Sequence, residues 1–91
     1  MDFEWKPGKA EANQFKHGIT FEEAQTVFDD PLARIYEDPV HSIGESRCLV
    51  IGESFSQEIL VVSFTERGDN IRIISARLAT RRERKFYEEN H

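Results

Sequence analysis

Few side chains in this sequence can move a proton near neutral pH. His17 and His41 are the internal histidines, and imidazole is the one group that serves as both acid and base there without a large shift. His17 falls in the last turn of a predicted helix, where its cationic form would also complement the helix dipole. His41 falls in a polar loop, and His91 is terminal. Tyr87 is a further candidate acid or stacking partner beside Arg84 and Lys85; the alternative is a half-buried packing residue against Phe86 or the sheet. Glu66 is a carboxylate base next to Arg67, and a weak one if exposed. Cys48 lies inside a predicted strand and reads as a small core residue rather than a nucleophile.

Charge is more informative than the proton-transfer groups. The chain has 91 residues and a net charge of −5. Residues 1–40 carry Lys6, Lys9, Lys16 and Arg34 against nine acids. Residues 67–87 reverse this: Arg67, Arg72, Arg77, Arg81, Arg82, Arg84 and Lys85 face only Asp69 and Glu83. Arginine presents a planar donor fork that matches phosphate oxygens in pairs, whereas lysine is a point charge. An Arg-rich segment in an acidic protein points to an anionic partner; a solvated face is the other reading. Arg67 and Arg77 fall toward opposite ends of a predicted hairpin, roughly 20 Å apart along an extended strand, so they do not grip one phosphate together. Arg77, Arg81 and Arg82 cluster more easily; the alternative readings are Arg67 as a turn cation and Arg77 paired with an acid of the following helix.

The elements that must position these residues follow from spacing. Phe3-Glu4-Trp5 alternates as a short strand. Pro7 suits a helix first turn, Lys9 to His17 reads as that helix with Ala10, Ala12 and Phe15 as candidate buried positions, and Gly18 fits just past its end. Thr20 to Glu23 is a capping box, with Ile19 placed to staple onto Ala24. The helix it opens carries Phe21, Ala24, Val27 and Phe28 on one face and stops at Asp29-Asp30-Pro31. Strands are predicted over Leu32 to Tyr36, Arg47 to Gly52, Ile59 to Thr65 and Ile71 to Leu78, with Arg67 to Asn70 as a hairpin turn. The near-continuous apolar run from Ile59 reads as a central strand buried on both faces. Thr80 to Glu83 is a second capping box, opening a helix to about Glu89. The pattern predicts a single α+β domain over 1–91: two N-terminal helices on a three- to four-stranded antiparallel sheet, then a C-terminal helix.

Several classes are excluded. One cysteine permits no intramolecular disulfide, and a carboxylate with three dispersed histidines gives no expected metal site. No apolar run approaches the roughly 20 residues of a membrane helix, and MDFEWK does not read as a secretory signal, so a cytoplasmic protein is expected.

Phe3-Glu4-Trp5-Lys6-Pro7, Lys16-His17-Gly18-Ile19, Phe21-Glu22-Glu23-Ala24, Val27-Phe28-Asp29-Asp30-Pro31, Thr65-Glu66-Arg67-Gly68, Ile71 to Arg77 and Ala79 to Arg84 together resemble the BrnT family of toxins, in order and over almost the whole chain. The resemblance implies a RelE-like fold and a metal-independent endoribonuclease of a type II toxin–antitoxin system, without a cofactor. In such enzymes the RNA 2′-hydroxyl attacks the adjacent phosphate and the 5′-oxygen leaves. That needs a proton acceptor, a proton donor and stabilisation of charge on phosphorus. The expected catalytic residues are Arg67 and Arg77 for charge, with Tyr87 and His17 as proton-transfer candidates. Arg72, Arg81, Arg82 and Lys85 are expected to hold the RNA backbone. The resemblance also implies a BrnA-type antitoxin, with two toxins on one antitoxin dimer. That partner would cover the cationic end with acidic side chains, or dock on the helical face and leave it open. The competing reading is a non-catalytic RNA-binding or protein-interaction module using the Arg-rich segment.

Overall fold

The computed structural model describes residues 1–42 and 44–89; His91 lies outside the described residues. The elements run β1 (Asp2–Glu4), α1 (Pro7–His17), α2 (Phe21–Thr26), β2 (Arg34–Glu37), β3 (Cys48–Glu53), β4 (Ile59–Arg67), β5 (Asn70–Leu78) and α3 (Arg81–Glu89). Short 3-10 turns follow α2 at Val27–Asp29 and follow β2 at Pro39–His41.

Local chemistry sets most boundaries. Pro7 opens α1, and Gly18 closes it at φ 72°, donating its N–H to the Gln14 carbonyl. Thr20 caps α2 by accepting from the Glu23 N–H at 3.0 Å. The Glu23 carboxylate does not complete the expected box; it accepts from the Ser54 hydroxyl at 2.7 Å and ties α2 to the end of β3. At α3 the box closes in both directions: Glu83 N–H donates to Thr80 Oγ1, and Thr80 N–H donates to Glu83 Oε1.

The strands form one sheet in the order β1-β5-β4-β3-β2. The expected antiparallel hairpins are present, but the sheet has five strands and is mixed, because β1 pairs parallel to β5. Alternation marks Phe3 to Trp5 as extended; its neighbour is chosen by packing. Phe3 stacks on Phe28 with ring centroids 5.1 Å apart, while Glu4 meets Arg72 on the other face. One core lies under α1 and α2, around Phe21, Val27, Val50, Val62, Phe64 and Ile73. A smaller one lies under α3, formed by Ile51, Val61, Ala79 and Tyr87. Strand β4 feeds alternate residues to both, so it is buried on both faces, as its apolar run predicts. Each fully buried large side chain stabilises by about 1.5–3 kcal/mol, and the two cores lock helices to opposite faces.

The phase of α1 departs from expectation. Phe15 is 95% exposed and Ala12 is exposed, whereas Asn13 is buried. Asn13 takes the place of a missing neighbour strand. Its amide donates to Ala76 O and accepts from Ala76 N–H, both at 2.9 Å, and donates also to Ile19 O. Satisfying both edge groups of β5 decides which face of α1 turns inward. Beside this contact β5 carries a bulge: Ser63 opposes Ser75 and Phe64 opposes Ile73, leaving Ile74 as the extra residue.

Candidate functional site

The bulge and the first turns of α1 create two adjoining hollows. The first, about 110 Å³, is lined by Lys6, Lys9, Glu45, Arg47, Arg72, Ile73 and Ile74. The second, about 400 Å³, shares Lys9 and Ile74 with it and continues past Asn13 to Lys16, His17 and Ser75. Three segments far apart in sequence thus bring five cations and an imidazole onto one continuous surface.

The backbone holds these side chains in place. Lys9 and Lys16 are seven residues apart on α1, so they share one face. Arg47 is fixed at the mouth of β3: its N–H donates to Ser42 Oγ at 3.0 Å, and its carbonyl accepts from the Asp38 N–H at 2.8 Å. The preceding carbonyl, of Ser46, accepts from the buried Thr65 hydroxyl at 2.7 Å. Arg72 stands on β5 and donates from Nε and Nη2 to Glu4 Oε2 at 3.1 and 2.9 Å. That contact holds the Glu4 carboxyl below the usual carboxylate range.

The electrostatics single out Arg47. Its Nε is buried without a hydrogen-bond partner, and among the described residues Arg47, Lys6 and Lys9 make no ion pair. A buried donor left unmatched costs on the order of 1–3 kcal/mol. Guanidinium and ammonium groups at a small concavity fit phosphate oxygens.

The expected site residues divide between two places. Arg72 and His17 line the hollows, and Arg67 stands at the rim, 3.7 Å from Glu45. The others lie at the α3 end. Arg77 opposes Val61 while Arg67 opposes Asn70, so the two arginines sit at opposite ends of the hairpin. Arg77 is engaged by Glu83 through two bonds of 2.7 and 2.9 Å. Chiefly for that reason the Glu83 carboxyl is pulled down to about 2. Arg82 lines a separate groove with Arg34, Tyr36 and Phe86, Lys85 pairs with Glu89 at 3.8 Å, and Arg81 is exposed. Tyr87 is buried and lines neither hollow; its hydroxyl donates to Asp30 Oδ2 at 2.5 Å, and burial and that carboxylate push its pKa far up. His41 bonds Asp38 at 2.8 Å and lines neither hollow.

Lys6, Lys9, Arg47 and Glu45 are members of this surface that the reading by charge runs passes over. Lys6 and Lys9 sit in an acidic stretch, and Arg47 is alone between Glu45 and Glu53. The helical spacing of Lys6, Lys9 and Lys16 was the available signal.

A family model described as the ribonuclease toxin BrnT of a type II toxin–antitoxin system matches residues 5–83. The chain belongs to the BrnT family. The matched span contains every residue that lines the two hollows and stops short of Lys85 and Tyr87. The crystal structure of the Brucella abortus ribonuclease toxin BrnT superposes with a TM-score of 0.71 at 25% identity, over 89% of this chain and 99% of that one. No curated protein sequence matches. As a member of the family, the chain is a toxin of the ribonuclease class, which implies RNA as substrate and an antitoxin as partner. Among the described residues no helix is long and apolar enough to cross a membrane.

Proposed function

We propose that this BrnT protein is a metal-independent endoribonuclease of RelE-like type. It slows growth in the cytoplasm by cutting RNA laid across the two hollows, until a BrnA-type antitoxin dimer restrains two copies of it. In the proposed step the 2′-oxygen forms a bond to phosphorus and the bond from phosphorus to the 5′-oxygen breaks. The 2′-proton leaves to a base, and the 5′-oxygen receives a proton from an acid. Arg47 holds the non-bridging oxygens, where negative charge grows in the transition state, and Arg72, committed through Nε and Nη2 to Glu4, lines the hollow beside it. Lys6, Lys9 and Lys16 carry the flanking phosphates along α1. His17, the imidazole on this surface, is one of the two proton-transfer groups. Arg67 acts from the rim. Arg77 is assigned here to the fold, because its donor fork is occupied by Glu83.

The observation that carries this reading is the convergence of Arg47, Lys6 and Lys9 on one hollow, none of them in an ion pair among the described residues. The test is purified protein with a labelled RNA in excess EDTA, comparing the parent chain with Arg47→Ala and His17→Ala. Cleavage that persists in EDTA and falls in both variants supports the reading. Binding without cleavage by the parent makes the protein an RNA-binding module instead.

A further inference from the structure

The two edges of the sheet are treated differently. On the β5 side the Asn13 amide occupies the edge groups of Ala76, beyond the short reach of β1. On the far side β2 is the last strand, and among the described residues no strand lies beyond it. Its residues pair with β3 from Arg34 opposite Ile51 to Glu37 opposite Cys48. The Asp38 N–H points inward, to the Arg47 carbonyl. By the alternation of a strand, the backbone groups of Ile35 and Glu37 point outward, toward the open edge.

That edge is apolar and cationic. Ile35 is 62% exposed and Phe86 43%. Arg34, Ile35, Tyr36, Arg82, Glu83 and Phe86 line a groove of about 400 Å³ alongside it. The Arg34 guanidinium carbon lies 5.1 Å from the Phe86 ring centroid, and Tyr36 meets the same ring edge-on at 6.5 Å. Glu83 is committed to Arg77, while Arg34 and Arg82 make no ion pair among the described residues. An exposed edge strand favours strand addition, and sequences usually blunt such edges with charge or proline.

We infer that β2 and the groove beside it bind an extended segment of a partner protein as a sixth strand, apolar where it meets Ile35, Tyr36 and Phe86 and carrying carboxylates for Arg34 and Arg82. The main-chain bonds run to Ile35 and Glu37, and the carboxylates set the register. For a type II toxin the partner with reason to hold on in this way is the antitoxin, so the inference rests on the toxin reading and names where the antitoxin grips. It places that grip on the edge opposite α1, so one antitoxin segment anchors here while another part of the same protein is free to obstruct the hollows.

The experiment uses the full chain and its cognate antitoxin. Hydrogen exchange is followed at the Ile35 and Glu37 amides, and affinity is measured for Ile35→Pro and for Arg34→Glu. Proline at 35 removes only an outward N–H from an already extended segment, and melting curves establish that each variant folds. The expected result is slowed exchange at both amides on complex formation and at least tenfold weaker antitoxin binding in each variant, with RNA cleavage unchanged. Were Ile35→Pro to misfold, Arg34→Glu and the amide protection decide alone. Parent-like affinity with unprotected amides overturns the inference and leaves the toxin reading standing. Failure of the parent chain to bind the antitoxin removes both. Protection of the same amides in the isolated chain at high concentration, with a doubled mass, makes the occupant a second copy and overturns the inference. Loss of RNA binding in place of antitoxin binding overturns it as well.

Discussion

The two cationic regions of this protein have opposite histories. The α3 end looks strongly basic along the chain, yet Arg77 is bound by Glu83 and Lys85 sits beside Glu89. The α1 end looks acidic along the chain, yet Lys6, Lys9, Lys16, Arg47 and Arg72 converge there from three segments. What separates Arg47 from Arg77 is commitment of the donors. The Arg77 guanidinium is held by a carboxylate at 2.7 Å, whereas Arg47 lines the first hollow and makes no ion pair among the described residues.

The sharpest way to break this comparison is to remove one arginine from each region. Arg47→Ala is expected to lower the cleavage rate on the order of 10²–10³, the usual loss for one donor to a developing anion. Arg77→Ala is expected to keep the rate within about threefold once the folded fraction is matched, since it removes a partly exposed pair worth about 1 kcal/mol to the fold and nothing from the hollows. Single-turnover cleavage by both variants measures this. Equal losses would erase the distinction drawn between the regions.

The next effect is on stability and tests what holds α1 over the site. Asn13→Ala strips partners from the N–H and carbonyl of Ala76 and from the carbonyl of Ile19. The expected cost is roughly 3 kcal/mol, which lowers the melting temperature on the order of 15 °C for a chain of this length. Calorimetry of the variant reads it directly. Phe15→Ala, at a position that is almost fully exposed, is expected to leave the melting temperature unchanged.

The fold was legible in the sequence wherever a local rule decides. The caps at Thr20 and Thr80, the left-handed Gly18 and the doubly buried β4 all follow from neighbours within a few residues. The parallel pairing of β1 and the inward turn of Asn13 depend on groups sixty or more residues away, so spacing carries no trace of them. The site was legible in part. His17 and Arg72 could be named from residue type alone, and a helix acid was one reading for the partner of Arg77; the fold decides between that reading and a phosphate by turning Glu83 onto its donor fork. Arg47 was hidden for the converse reason: Glu45 stands two residues before it, yet among the described residues no acid pairs with it in space.

A smaller effect sharpens the account of the α3 end. The Glu83 carboxyl titrates near 2 in the folded chain against an ordinary value of 4.5, mainly through Arg77. A lowered folded value means the stabilisation is fully present above about pH 4.5 and is lost as the pH falls toward 2. Glu83→Gln is therefore expected to be less stable than the parent by roughly 1 kcal/mol near neutrality, a figure discounted for the partial exposure of the pair. The gap should narrow on acidification and close only below the folded value of about 2. Urea unfolding at pH 7 and at pH 2.5 checks both halves: roughly a quarter of the gap is expected at the lower pH, and an undiminished gap there would show that the ion pair is not its source.

The smallest effect separates the regions by salt alone. Each phosphate neutralised on a single strand releases counterions and adds about 0.7 to the slope of log affinity against log salt. Lys9 lines both hollows and makes no ion pair among the described residues, so Lys9→Ala is expected to flatten the slope for single-stranded RNA by about 0.7. Lys85 already has a carboxylate beside it and lies outside both hollows, so Lys85→Ala is expected to leave the slope unchanged. Between 50 and 200 mM salt the predicted difference is only about threefold in relative affinity, which a titration series at four or more salt concentrations resolves. The slope discriminates better than one affinity. A lysine that merely supports the fold shifts the whole line without tilting it, whereas a lysine on a phosphate changes its gradient. Flattening by Lys85→Ala and not by Lys9→Ala would move the RNA path from α1 to α3, back to where the charge along the chain first directed it.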